Sequence, residues 1–168
     1  MEFTFRKIEL PQDREYLLEC HCRINFECDC SWARAQGYEA YRAEWFLMKG
    51  QHKAFLDCFE ETAADERTLA LIALDEKGEK AGYIWAPFYE DEESGFLFAE
   101  VQDIFVEERC RNLGLASKMY ALAEENALKA GAKVLRAGTG SGNTASLKFH
   151  EKQGFTPYRY EFEKVLEH

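Results

Sequence analysis

Residues Val101–Ala116, Val-Gln-Asp-Ile-Phe-Val-Glu-Glu-Arg-Cys-Arg-Asn-Leu-Gly-Leu-Ala, constrain this chain more than any other stretch. Ile104, Phe105 and Val106 are apolar and β-favouring, and Phe96-Leu97-Phe98 lead into them, so the stretch opens as a strand. Leu115 to Ala130 is rich in Ala, Leu, Lys, Glu and Met, so it closes as a helix. Between the two lies a polar turn, Glu107–Asn112. Gly114 and Ala116 then put two small residues into the first turn of the helix.

A helix that starts this way suits an anion. Its first N–H groups have no partner within the helix, and the macrodipole adds partial positive charge there. Small residues let phosphate oxygens approach the backbone, and Arg111 adds a full charge. The stretch reads as a strand feeding a diphosphate into a helix N-terminus.

The rest of the chain arranges itself around that unit. Residues 3–9 partly alternate and predict a first strand, and Pro11-Gln12-Asp13 opens a helix that frays near Asn25–Ser31. Tyr38, Tyr41, Trp45 and Met48 recur at helical spacing after Gly37. That stripe is a packing face, with Phe26, Trp32, Tyr38 and Trp45 as the residues that would line a pocket if it has a second use. Gln51–Ala64 continues as helix with Phe55, Cys58 and Phe59 inward. Thr68–Leu74 and Ala81–Phe88 form a hairpin around Gly78, Tyr89–Ser94 is an acidic turn, and Gly95–Val106 is one long strand. After the helix that ends at Gly131 come a short strand at Lys133–Arg136 and a glycine-rich loop, Gly138–Gly142. A helix capped by Asn143 and stopped by Gly154 follows, then a final strand or hairpin at Phe155–Val165. Hairpins first and βαβα second predict an α/β fold. It has a central mixed, mainly antiparallel sheet of about six or seven strands with helices on both faces. There are no repeats or linkers, so residues 1–165 read as one domain, with 166–168 as the stub of an expression tag.

Bulk properties remove several function classes. A chain of 168 residues makes one domain that buries about 70% of its unfolded surface. The formal charge of −10 argues against a nucleic-acid surface and suits a cationic substrate. No apolar run is long enough for a membrane span, and the N-terminus lacks the order of a signal peptide, so the expected location is cytoplasmic. Cys20, Cys22, Cys28 and Cys30 crowd together with His21 among them. Their Cys-x-Cys spacing does not fit common zinc sites, and residues two apart on a helix point to nearly opposite faces. No metal is expected.

A second motif is more specific. Asn143-Thr-Ala-Ser-Leu-Lys-Phe-His150-Glu-Lys-Gln-Gly154-Phe155 resembles the pattern Asn-x-x-(Ala/Ser)-x-x-Leu/Phe-Tyr-Glu-Lys-x-Gly-Phe of the GNAT N-acetyltransferase superfamily. Arg111-Asn-Leu-Gly114-Leu-Ala116 is similar to that superfamily's Arg/Gln-x-x-Gly-x-Gly/Ala signature. Two departures stand out: Asn112 occupies a position that is commonly glycine, and His150 one that is commonly tyrosine. The resemblance spans about Gly95–Phe162, and the element order is also that of the GNAT three-layer fold.

The resemblance implies acetyl-CoA as co-substrate and direct acetyl transfer to a primary amine, on a small molecule or a peptide, without a covalent intermediate. Its pyrophosphate would lie on Arg111, Asn112, Leu113, Gly114, Leu115 and Ala116. Its pantetheine arm would run along Ile104, Phe105 and Val106, with Asn143 and Ser146 on the far side. A backbone N–H of Phe105 or Val106 would stabilise the oxyanion. Glu100 is the expected general base, Asp103 the substrate contact and His150 the acid for the departing thiolate. Strand parity sends Glu100 and Asp103 to different faces unless a bulge intervenes. A homodimer would fit the family's habit. The competing reading is a catalytically silent acyl-CoA-binding sensor, favoured by His150 and Asn112. A dinucleotide loop at Gly138-x-Gly-x-Gly142 is ruled out by the few residues that remain after it.

Overall fold

Two strands that change sheets in mid-course shape this molecule. The computed structural model describes residues 1–28, 35–162 and 164. Among these are seven strands: β1 (Thr4–Lys7), β2 (Leu69–Leu74), β3 (Lys80–Ala86), β4 (Phe88–Glu90), β5 (Leu97–Val101), β6 (Asp103–Val106) and β7 (Val134–Ala137). One sheet has the order β1-β2-β3-β6 and the other β4-β5-β7. The path from β3 into β4 crosses between them at buried Pro87, and the path from β5 into β6 crosses at Gln102. Hydrogen bonds from Glu100 N to Pro87 O and from Gln102 N to Trp85 O stitch the crossings together. Every pairing is antiparallel except β5 with β7, which is parallel.

The single long strand expected at Gly95–Val106 is therefore two strands. β7 stays paired with β5 as far as Val101↔Ala137, while β6 pairs with β3. The sheet thus splits, and one edge of β6 is left without a strand partner among the described residues.

Five helices complete the described layers: α1 (Arg14–Cys28), α2 (Tyr38–Leu47), α3 (Lys49–Ala63), α4 (Leu115–Lys129) and α5 (Thr144–Lys152). Leu17, Trp45, Phe55 and Phe59 from α1–α3 pack on Ile72, Tyr83 and Trp85 of one sheet face. Leu115, Met119, Tyr120 and Ala123 of α4 pack on Ile84 and Val101 of the other. Leu17, Ile84 and Met119 are completely buried, worth roughly 1.5–3 kcal/mol each in apolar transfer. The arrangement is a three-layer α/β fold with a mixed, mainly antiparallel sheet.

Some details differ from expectation. Cys58 is exposed although Phe55 and Phe59 on the same helix are buried, because the inward face of α3 is narrower than its apolar residues suggest. Cys20 and Cys22 are both buried, since α1 is covered on two sides, by the sheet and by α2. No strand forms within residues 155–162, where Tyr158, Tyr160 and Phe162 are all exposed, so their alternation separates no buried face from a solvent face. Trp32, Cys30, the end of that expected strand and residues 166–168 lie outside the described residues. Among the described residues no helix is long and apolar enough to cross a membrane.

Candidate acyl-transfer site

The turn after β6 is built to present backbone N–H groups. A 3₁₀ turn at Glu108–Cys110 buries Cys110, and the chain then passes through Asn112 at φ +62° and Gly114 at φ +81° before α4 begins. Left-handed backbone suits glycine and is tolerated by asparagine, which accounts for both residue types. A Cβ on Gly114 would meet no atom within 4 Å, so the space before the helix is open. The first intrahelical bond is Lys118 N to Gly114 O, so the N–H groups ahead of it project toward that space. Of the two nearby arginines, Arg109 is committed to Asp75 and to the Lys80 carbonyl. Arg111 stays at the turn, donating to Val106 O at 3.3 Å and reaching Glu27 at 3.8 Å. Leu113 is exposed, Leu115 is buried in the core and Ala116 is half-buried.

β6 supplies the edge that leads to this turn. The bonds Gln102 N to Trp85 O and Glu107 N to Ala81 O fix the alternation along the strand. Phe105, two residues from Glu107, turns its backbone groups toward β3, while Ile104 and Val106 present theirs to the open edge. The Arg111 contact with the Val106 carbonyl agrees with that direction. A chain-like ligand carrying amide groups could pair along this edge as a strand would.

At the head of the edge, Gln102 and Asp103 together oppose Trp85, one through its N–H and the other in register. This is a β-bulge, and it cancels the parity difference between Glu100 and Asp103. Val101 and Ile104 both pack on the α4 side, so Glu100 and Asp103 both turn to the α1–α3 side. Their surroundings differ. Glu100 is half-buried and sits opposite Arg136 in the parallel pair. Burial raises its carboxyl above the ordinary glutamate range, against the pull of Arg136 and Arg159. Tyr89 lies on the same face, its hydroxyl accepting from Gln102 Nε2 at 3.2 Å.

Asp103 is only 4% exposed. Its Oδ2 accepts from the Tyr83 hydroxyl at 2.5 Å and from His21 Nδ1 at 2.7 Å. Burial, reinforced by Asp103 itself, keeps the Tyr83 hydroxyl protonated and therefore a donor. The His21 ring is stacked on Phe55 at 4.0 Å between centroids.

On the far side of the split, α5 is capped by Asn143, whose Oδ1 accepts from Ser146 N at 3.1 Å. The carboxamide oxygen is thus used within the helix. His150 Nδ1 lies 2.8 Å from the Ser146 carbonyl, and its Nε2 lies 2.6 Å from the Tyr120 hydroxyl. A carbonyl can only accept, so in the neutral ring the proton is on Nδ1 and Tyr120 donates to Nε2. The loop before α5 is held close to α1: a Cβ on Gly140 would run into the Cys28 carbonyl. Among the described residues no group of three or more His, Cys, Asp or Glu side chains could hold a metal ion.

Motif reading singles out Arg111, Gly114, Asn143 and the strand residues as candidates, because each belongs to a local pattern. It does not single out His21, Tyr83 or Tyr120, which the fold brings beside candidate residues Asp103 and His150. His21 and Asp103 are far apart in sequence, and the only local signal at His21 is its place among cysteines.

The sequence model of the acetyltransferase (GNAT) family matches residues 32–155. No curated protein matches the sequence. A Pyrococcus furiosus protein assigned as an acetyl transferase is similar in structure, with TM-score 0.66 and 25% identity over 98% of this chain and 100% of that one. The aminoglycoside acetyltransferase AAC(6')-Iy, solved with a CoA-linked bisubstrate analogue of monomethyl-acetylneamine, gives TM-score 0.63 and 19% identity over 99% of each chain. Glucosamine-6-phosphate N-acetyltransferase from Arabidopsis thaliana gives TM-score 0.64 and 15% identity over 99% of this chain and 100% of that one. The last two show likeness of fold.

Proposed function

The chain belongs to the GNAT acetyltransferase family, and from that premise we propose that it transfers an acetyl group from acetyl-CoA to a primary amine by direct attack. The observation that carries this reading is the pairing of an open β6 edge with a left-handed turn into α4. In the proposal, N–H groups at Gly114, Leu115 and Ala116 bind the diphosphate, with Arg111 as counter-charge and Asn112 and Leu113 shaping the turn. Ile104 and Val106 hold the pantetheine amides through their backbone, with Phe105 behind them and Asn143 and Ser146 across the gap. The oxyanion falls to an edge-facing strand N–H: that of Phe105 faces β3 and that of Val106 lies toward the phosphate turn, which leaves Ile104 at the head of the edge.

The acceptor enters from the α1–α3 side. Glu100 attracts its ammonium group and is one group able to take its proton; Asp103 reaches it through His21. In the neutral state His150 has no free N–H, so water or a transient imidazolium protonates the thiolate. The similar structures of AAC(6')-Iy with its acetylneamine bisubstrate analogue and of glucosamine-6-phosphate N-acetyltransferase support an amine acceptor.

Thiol release from acetyl-CoA, measured with neamine, glucosamine 6-phosphate, spermidine and a lysine peptide, tests the reading. Acceptor-dependent release with at least one amine supports it. Acetyl-CoA binding with no release on any of them would favour the silent acyl-CoA sensor.

A further inference from the structure

We infer that His21, oriented by Asp103, is the general base of the acceptor site: its Nε2 takes the proton from the incoming ammonium. The inference rests on the acetyl-transfer reading above and names a residue that no motif supplies.

Asp103 follows Gln102 at the bulge, directly before Ile104, where the β6 edge becomes free. A group bonded to Asp103 is therefore at the apex of the split, where an acyl group carried along that edge would end. His21 reaches it from α1, with Nδ1 2.7 Å from Oδ2. The carboxylate also accepts from Tyr83, so it faces two donors, and its acceptor-only oxygen fixes the His21 proton on Nδ1. The Nε2 lone pair is what remains. Stacking on Phe55, and Trp45 at 6.1 Å, hold the ring plane. The side chain still keeps 21% of its surface exposed, so the ring is fixed without being sealed. A buried carboxylate that sets tautomer and orientation, behind an imidazole that meets solvent, is the arrangement that serves base catalysis.

Glu100 is the competing base. It sits before the bulge, level with the closed part of the split, where β5 and β7 are still paired. Burial raises its carboxyl although Arg136 and Arg159 pull the other way, so position, not titration, separates it from His21. Its place suits capture of the ammonium group rather than proton removal at the acyl carbon. The ionisable groups around the His21–Asp103 pair are Tyr83 on β3, with Cys20 on α1 and Cys58 on α3 within electrostatic reach of Asp103, Glu19, Glu107 and Glu61 beyond those thiols, and His52 behind Trp45. Burial raises both thiols, so they stay neutral near pH 7, and Asp103 is the charge in direct contact with the ring.

The step balances. His21 Nε2 removes one proton from R-NH₃⁺, and the free amine forms a C–N bond to the thioester carbonyl carbon. Collapse breaks the C–S bond, the second N–H proton goes to the departing thiolate, and the imidazolium returns its proton to water. The products are amide, free thiol and one proton.

The test compares the full chain with His21→Gln and His21→Ala, using whichever probe amine of the panel gives release. The inference predicts a loss of about 100-fold in kcat/KM, in the range typical of a positioned base. Acetyl-CoA affinity by calorimetry should stay within about twofold of wild type, well inside the tenfold that 1.4 kcal/mol represents. The acid limb of the pH–rate profile should vanish, and added imidazole should restore part of the His21→Ala rate. A structural role would produce neither of the last two effects. If both variants keep the acid limb and at least a third of the rate, His21 is not the base and acetyl transfer stands. If wild type releases no thiol with any amine, the acetyl-transfer reading fails, and this inference with it.

Discussion

The buried Tyr120 hydroxyl donates to His150 Nε2 across the interface of α4 and α5, at 2.6 Å. Burial also keeps that hydroxyl protonated. The same imidazole donates from Nδ1 to the Ser146 carbonyl one turn earlier, so it joins two helices and closes its own. Phe149 and Phe155 surround the pair edge-on.

His150→Ala should therefore act on stability first. It leaves the Tyr120 hydroxyl without its partner, a cost of about 1–3 kcal/mol. Tyr120→Phe in the same background removes the orphaned group and should recover part of that loss. Urea midpoints of the two single variants and the double variant measure the coupling. With the panel amine, kcat of His150→Ala should fall by less than about tenfold, because water can protonate the thiolate.

Glu100→Gln separates attraction from proton transfer. As a counter-charge, Glu100 contributes to capture of the ammonium group. Its loss should raise KM for a cationic amine by roughly tenfold, a charge-assisted contact of about 1.4 kcal/mol, while kcat stays within about threefold. Steady-state kinetics with spermidine or neamine check this. A collapse of kcat with KM unchanged would place the base at Glu100.

Asp13 gives the fold a defined acid response. Its carboxyl is fully buried, accepts from Arg6 at 2.7 and 2.8 Å and lies 2.8 Å from Lys80. Burial alone would raise it, but these partners and the Glu9 N–H hold it well below the usual aspartate range. A depressed carboxyl stabilises the fold fully above its unfolded value, about pH 4, and loses that contribution as pH falls toward the folded value. Wild type should thus lose urea resistance steeply below about pH 4. Asp13→Asn should cost roughly 3–5 kcal/mol near neutral pH by leaving Arg6 and Lys80 unpaired, and should show a flatter acid limb.

Gly140→Ala tests the docking of the glycine loop on α1. The new methyl group would meet the Cys28 backbone, which cannot move aside as a side chain can. A loss of about 1–3 kcal/mol is expected, with a lower thermal midpoint. Gly138→Ala, where a Cβ meets open space, should be nearly silent.

Legibility in the sequence followed locality. The polar turn with Arg111 and the small residues at a helix start were readable because they need only neighbouring residues; that Gly114 stands ahead of the helix in left-handed backbone was not. Asn143 was readable as a cap for the same reason, and its Oδ1 does bond Ser146 N. The break at Gln102 was hidden, because Leu97–Val106 looks like one apolar strand and a bulge leaves no mark in composition. The alternation of Tyr158, Tyr160 and Phe162 suggests a strand that the described residues do not form, since alternation alone does not say whether a segment is paired. Least visible was His21 with Asp103: their 2.7 Å contact arises only when α1 lies across the bulge.

Calorimetric titration of acetyl-CoA into wild type and Gly114→Glu tests the central claim most directly. The substitution places a negative side chain in the open space at the start of α4, at a φ that only glycine adopts cheaply. Saturable binding by wild type, weakened at least about 100-fold in a variant whose circular dichroism shows it still folded, is the predicted result. No binding by wild type, or equal binding by both proteins, would contradict the account.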